Sequence, residues 1–218
     1  MAGSAEVSKI ACGVSSSREL FQRAGEAGAQ LVLVHHGLFW RNEPLLVDRR
    51  LKGRLEALFA ANLTLIAYHL ALDAHAEVGN NALLADLLGA TREGEFASIG
   101  AGARFHEPVT IGELTQRLEQ ATGRAPVVFG EGAERIERVA VVTGGGGTRL
   151  IEAAHEGYGA LVTGEPEEPA LASARELGVH FLAGGHYATE TFGVKALAAR
   201  LADEFSVDWE FLDVENPV

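Results

Sequence analysis

Leu31-Val32-Leu33-Val34-His35-His36-Gly37-Leu38-Phe39-Trp40 is the stretch on which the reading of this chain turns. Four aliphatic residues without a polar break describe a strand buried on both faces, the mark of a parallel sheet. Two adjacent histidines follow where that strand should end. In open α/β sheets ligands collect at the carboxyl ends of strands, where loops leave the core. Gly37 permits an unusual dihedral or a close backbone approach just beyond the pair. Imidazole suits borderline divalent metals, so His35 and His36 are candidate metal ligands.

Upstream, Ser8 to Val14 reads as a strand, and Ser15-Ser16-Ser17 offers N-caps. Leu20, Phe21 and Ala24 keep helical spacing up to Gly25 and Gly28. Strand, helix and strand form a unit whose default is parallel pairing with a right-handed crossover. Downstream, Arg49 to Ala61 predicts an amphipathic helix with Leu51, Leu55, Leu58 and Phe59 on one stripe. Leu63 to Tyr68 is a third strand, running into His69-Leu70-Ala71-Leu72-Asp73-Ala74-His75. A short helix over Asn80 to Leu88 closes at Gly89.

From about residue 90 to 135 the pattern changes, broken by Gly100, Gly102, Pro108, Gly123 and Pro126. A helix over Ile111 to Ala121, capped by Thr110, is the clearest element there, and Arg104-Phe105 and Val127-Val128-Phe129 are candidate strands. Then the first organisation returns. Ile10 to His36 overlays the later stretch at a constant offset: Ile10 on Val139, Phe21 on Leu150, Gly28 on Gly157, Val34 on Thr163. The division expected is a first lobe over 1–95, an intervening segment over 96–135 and a second lobe over 136–218.

The second lobe's last strand, Val179 to Ala183, ends in Gly184-Gly185-His186-Tyr187-Ala188-Thr189-Glu190. His186 and Glu190 are spaced i, i+4, as are His69 and Asp73, which puts each pair on one helix face. His35, His36, Asp73, His186 and Glu190 supply three imidazoles and two carboxylates. That is too many for one open zinc site and suits two adjacent metals sharing a carboxylate, an arrangement that activates water. Without cysteine ligands the metals expected are Zn, Fe, Mn, Co or Ni. Thr143-Gly144-Gly145-Gly146-Gly147-Thr148 lies between a strand and a helix, where the N–H groups of Gly144, Gly145 and Gly146 could hold phosphate. It carries neither the Gly-Lys-Ser/Thr of a P-loop nor a dinucleotide fingerprint, and a tight structural turn is the competing reading. His75, His155 and His180 read as structural histidines.

At 218 residues, 47% hydrophobic and 22% charged, the chain has the make-up of a soluble globular protein. A formal charge of −12 with dispersed Lys and Arg argues against nucleic-acid backbones and anionic membranes as partners. Cys12 is alone, so no internal disulfide forms, and its apolar surroundings describe a core thiol. No signal sequence opens the chain and no apolar run approaches the roughly 20 residues of a membrane span, so a cytoplasmic location is expected.

Taken together, His35-His36-Gly37-Leu38-Phe39-Trp40, His69 to His75 with Gly79-Asn80-Asn81, Thr143-Gly144-Gly145-Gly146, Thr163-Gly164-Glu165 and Gly185 to Glu190 resemble the Nif-three-like dinuclear metal centre hexameric family, also labelled GTP cyclohydrolase I type 2 homolog. The resemblance runs over nearly the whole chain. It implies an α/β fold of two similar strand–helix lobes, with largely parallel sheets in a layered α/β/α arrangement and the metal site in the cleft between them. It further implies a homohexamer and two divalent metals per chain: His36 and Asp73 on one, His35 and His186 on the other, Glu190 bridging. His69 matches a further histidine beside the site. One departure is that the family usually begins with an additional helix before the first strand, so a flap over the site is expected to be missing or differently built. The function expected is a metal-dependent hydrolase acting on a phosphate-containing or nucleotide-like small molecule, with His69 or Glu190 managing protons. A non-catalytic metal carrier or adaptor is the alternative.

Overall fold

The computed structural model describes residues 2–218 and shows a mixed α/β fold whose contacts gather into two units. The first runs to Leu72 and takes back Gly193–Glu215; the second comprises Asp73–Phe192 with Asn216–Val218.

In the first unit β1 (Lys9–Ser15), α1 (Arg18–Glu26), β2 (Leu31–His36), α2 (Arg49–Ala60) and β3 (Thr64–Ala67) alternate as expected. Ser17 caps α1 by accepting the Leu20 N–H, and Asp48 caps α2 by accepting that of Leu51. The strands pair in parallel, with Ile10 opposite Leu31 and Leu31 opposite Thr64. Leu20, Phe21, Val32, Val34, Leu58 and Leu63 form the core, each such burial contributing about 1.5–3 kcal/mol. Phe59, placed on the α2 stripe by its spacing, is 66% exposed. The stripe that packs is Leu51, Leu55 and Leu58, and Phe59 stands one residue round from it.

The second unit holds a six-stranded sheet. Along the chain come α3 (Leu70–Asp73, spanning the unit boundary), α4 (Asn80–Leu87), β4 (Ala90–Phe96), β5 (Gly100–Val109), α5 (Ile111–Thr122), β6 (Val127–Phe129) and β7 (Ile136–Val142). A 3-10 turn at Gly147–Arg149 leads into α6 (Leu150–His155), β8 (Ala160–Thr163), α7 (Ala170–Leu177), β9 (His180–Ala183) and α8 (His186–Thr189). The strand order is β4-β5-β7-β8-β9-β6. Alternation along the central strands feeds two cores: Val139, Val141, Val162 and Leu182 in one, Ala140, Val142, Leu161 and Phe181 in the other.

The spacing shared by the two stretches recurs in the register. Ile10 pairs with Leu31 and Val139 with Ala160, both 21 residues apart. Gly28 and Gly157 close the equivalent turns with φ of 73° and 76°. Ala29 N–H donates to Ala24 O, and Tyr158 N–H to Ala153 O, at the same offset.

Pairing is largely parallel, as expected, and the second sheet is mixed: β5 runs antiparallel to β4 and β7, and β6 to β9. Two expectations change. The stretch 96–135 is therefore no intervening segment: β5 lies inside the sheet, its pattern interrupted by a register shift between Arg104 and Val109 around Pro108. β4, polar through its middle, is an edge strand. The chain also divides near 72 and 193 rather than at 95 and 135. α9 (Thr191–Phe205) leads back to the first unit, where β10 (Asp208–Phe211) pairs in parallel with β1. No helix among the described residues is long and apolar enough to cross a membrane.

Candidate metal centre

In the first unit β2 is flanked by β1 and β3, and both neighbours brace the histidines at its end. Ser15, opposite His36 in the register, places its hydroxyl 2.9 Å from His36 Nδ1. Tyr68, just past β3, offers its carbonyl 3.0 Å from His35 Nδ1. A carbonyl only accepts, so His35 Nδ1 carries the proton and, in the neutral ring, Nε2 carries the lone pair. This outer bracing is how proteins orient metal-ligating imidazoles. His69 joins the pair: its ring centroid lies 4.9 Å from that of His35 and 5.2 Å from that of His36. One ring nitrogen from each of the three lies within 4.8 Å of the others. Trp40 covers the group, 4.7 Å from the His36 ring and 6.1 Å from that of His69.

In the second unit the carboxylates gather around Thr143 and Gly144, which follow β7. Asp73 Oδ1 accepts from Asn80 Nδ2 at 2.9 Å and from the Thr143 hydroxyl at 3.4 Å. Asn81 ties the same corner together, accepting the Thr143 N–H at 2.7 Å and donating to Asp73 O at 3.2 Å. Asp73 and Glu190 present carboxylate oxygens within 4.8 Å of one another. His186 Nε2 lies 3.3 Å from Glu190 Oε2, at the i, i+4 spacing read from the sequence, and its Nδ1 lies 3.1 Å from Glu165 Oε1. Burial works against charge on His186, but Glu190 and Glu165 more than offset it and raise the imidazole to about 9. Asp73 and Glu190 are themselves almost wholly buried, which is costly for a carboxylate unless it is paired or holds a cation.

The glycine run differs from a phosphate cradle. Gly144 N–H donates to the Thr189 hydroxyl at 3.1 Å and Gly146 N–H to the Thr163 hydroxyl at 3.0 Å. Gly144 O accepts from the N–H groups of Gly164 and Glu165. Two of the three candidate donors are thus spent inside the fold, and the loop is a tight turn that Asp73 and Glu190 approach from other elements.

Each unit therefore gathers its own donor set: His35, His36 and His69 in the first, Asp73, His186 and Glu190 in the second. His75 stands apart, its Nδ1 taking the N–H groups of Glu77 and Val78, and His180 Nε2 meets Ala133 O. Sequence reasoning quoted Glu165, Asn80, Asn81 and Trp40 within motifs and Ser15 as a capping candidate, but gave none of them a part in the site. For Glu165 a signal existed, since the constant offset that carries Ile10 to Val139 carries His36 to Glu165.

Three histidines whose Nδ1 is engaged by a hydroxyl, a carbonyl or a carboxylate, two buried carboxylates and no thiolate fit divalent first-row metals. The fold and these groups define a mixed α/β protein with buried His, Asp and Glu clusters able to hold metal ions. The chain belongs to the Duf34/NIF3 (NGG1p interacting factor 3) family, whose model matches residues 1–217. It is 42% identical to the Escherichia coli protein named GTP cyclohydrolase 1 type 2 homolog, over 99% of this chain and 87% of that one. Among solved structures it is similar to protein ybgI, described as of unknown function, with a TM-score of 0.96 and 42% identity over 100% of this chain and 89% of that one. TTHA1606 from Thermus thermophilus superimposes with a TM-score of 0.93 at 37% identity, covering 100% of this chain and 88% of its own.

Proposed function

We propose that this chain holds two divalent metals and uses them to hydrolyse a phosphate-containing or nucleotide-like small molecule. His36 and Asp73 would hold one metal, His35 and His186 the other, with Glu190 shared. The observation that carries this reading is the combination of imidazoles braced at Nδ1 with two buried carboxylates, Asp73 and Glu190, beside the Thr143–Gly144 turn. The name of the Escherichia coli relative supports a nucleotide-like substrate. When bound, the metals would supply Lewis acidity that makes water a nucleophile near neutral pH.

The protein's own groups do the rest. Asn80 and the Thr143 hydroxyl orient Asp73; Ser15 and the Tyr68 carbonyl orient His36 and His35. His69, without a place in the proposed ligand set, would hand a proton to the leaving group, and Trp40 would keep water from the imidazoles. Assembly as a hexamer belongs to the same proposal. It is supported by the exposed apolar residues Phe39, Leu45, Leu46 and Val47, which a monomer has little reason to present.

The test is a panel of nucleotides and phosphoesters with the Mn- or Zn-loaded chain. Turnover that needs metal and disappears in Asp73→Ala is expected. Metal passing to an acceptor protein with no turnover on any member of the panel would replace the hydrolase reading with the carrier.

A further inference from the structure

A cavity of about 230 Å³ in the second unit is bordered by Arg124, Gly164, Glu165, Gly185, Pro217 and Val218. Glu165, the carboxylate that meets His186 Nδ1, is part of its lining. So is Arg124, and the backbone makes room for it. Gly185 has φ +98°, and a Cβ there would lie 2.8 Å from Arg124 Cδ and Nη1. A cation is thus brought next to the residue that precedes His186, on a chain whose net charge is −12.

Two donors, one lining this cavity and one near it, are given to residues 217 and 218. Arg124 Nη1 donates to Pro217 O at 2.7 Å, and Tyr187 N–H donates to Val218 O at 2.9 Å. Val218 N–H turns back to Asn216 Oδ1, so residues 216–218 form a small hook whose Pro217 and Val218 border the cavity. A guanidinium matches a phosphate or carboxylate better than a lone carbonyl, because two parallel charge-assisted bonds replace one ordinary bond.

We propose that Arg124 and the Tyr187 N–H form an oxyanion subsite beside His186, covered by residues 216–218 until a phosphate- or carboxylate-bearing ligand displaces them. The subsite deepens the hydrolase reading and rests on it for its use in turnover, since it would anchor the charged group of the substrate next to a proposed metal ligand. Binding itself needs no metal.

The test is calorimetric titration of inorganic phosphate, with acetate as a second arm, into the full chain and a variant ending at Glu215. Each is measured metal-loaded and after chelation, with Arg124 intact, Arg124→Ala or Arg124→Lys. Removing the covering segment should tighten binding of one of the two anions about tenfold, and Arg124→Ala should weaken it by about tenfold or more, the worth of a charge-assisted bond. Arg124→Lys should retain part of the affinity, which a general folding defect would not. Both effects should persist in the chelated chain, so that a failed metal reading leaves them standing. Equal affinities with and without residues 216–218, or an Arg124→Ala chain that binds both anions as the parent does, would overturn the subsite.

Discussion

Glu190 lies so close to Gly144 that a Cβ built on the glycine would collide with Oε1 and come within 3.2 Å of His186 Nε2. Gly144 also has φ +64°, a backbone that L side chains resist. The glycine run that looks from the sequence like a phosphate loop is thus what lets a carboxylate and an imidazole approach the end of β7.

Gly144→Ala should therefore lose metal as well as stability, whereas Gly123→Ala should lose stability alone. Gly123 shares the left-handed backbone (φ +72°) but meets nothing within 4 Å of its added methyl. Each substitution should cost about 1–2 kcal/mol in denaturant unfolding of the metal-free chain from backbone strain. Elemental analysis separates the two: retention of metal by Gly144→Ala would contradict the role given to this turn.

Metal uptake should release a proton. In the metal-free chain, burial opposes charge on His186 but Glu190 and Glu165 raise it to about 9, so the ring is protonated at pH 7. A folded value above the unfolded one of roughly 6.5 means that the ion pairs stabilise the fold fully below that pH. The contribution is lost as pH rises through about 9. Loading at pH 7 in a weakly buffered indicator solution should acidify the medium, less so for His186→Gln, and the stability of the metal-free chain should fall between pH 7 and 10.

Cys12 should be inert to thiol reagents while the chain is folded. Burial, aided by Glu210 and opposed by Lys195, pushes the thiol up to about 12, so almost none is thiolate at pH 8. An aromatic disulfide reagent should react with one thiol per chain only after unfolding. Rapid labelling of the native chain would show that β1 opens readily.

Much of the fold was legible from one stretch. Val32, Leu33 and Val34 are buried on both faces of β2, so a continuous apolar run translated directly into a central parallel strand. The ring pair it delivers, and the His186–Glu190 spacing, followed from local sequence alone. β4 was hidden, and β5 was legible only at Arg104-Phe105, for physical reasons: an edge strand is exposed and polar through its middle, and a register shift near Pro108 breaks the alternation of β5. The unit boundaries were hidden because Asp208–Phe211 pairs with Lys9–Cys12 across nearly the whole chain, a contact that no local pattern announces. Bracing partners such as Ser15 and Asn80 escaped for the same reason, since a hydroxyl or amide is informative once its neighbour is known.

The central claim is tested most directly by elemental analysis of the chain purified from its own host, beside Glu190→Ala and His75→Ala. The account predicts about two divalent metals per chain, as a shared-carboxylate pair requires. It predicts loss of both in Glu190→Ala and an unchanged content in His75→Ala, whose imidazole serves a turn. A parent chain without stoichiometric metal, or a Glu190→Ala chain that keeps its full complement, would contradict it.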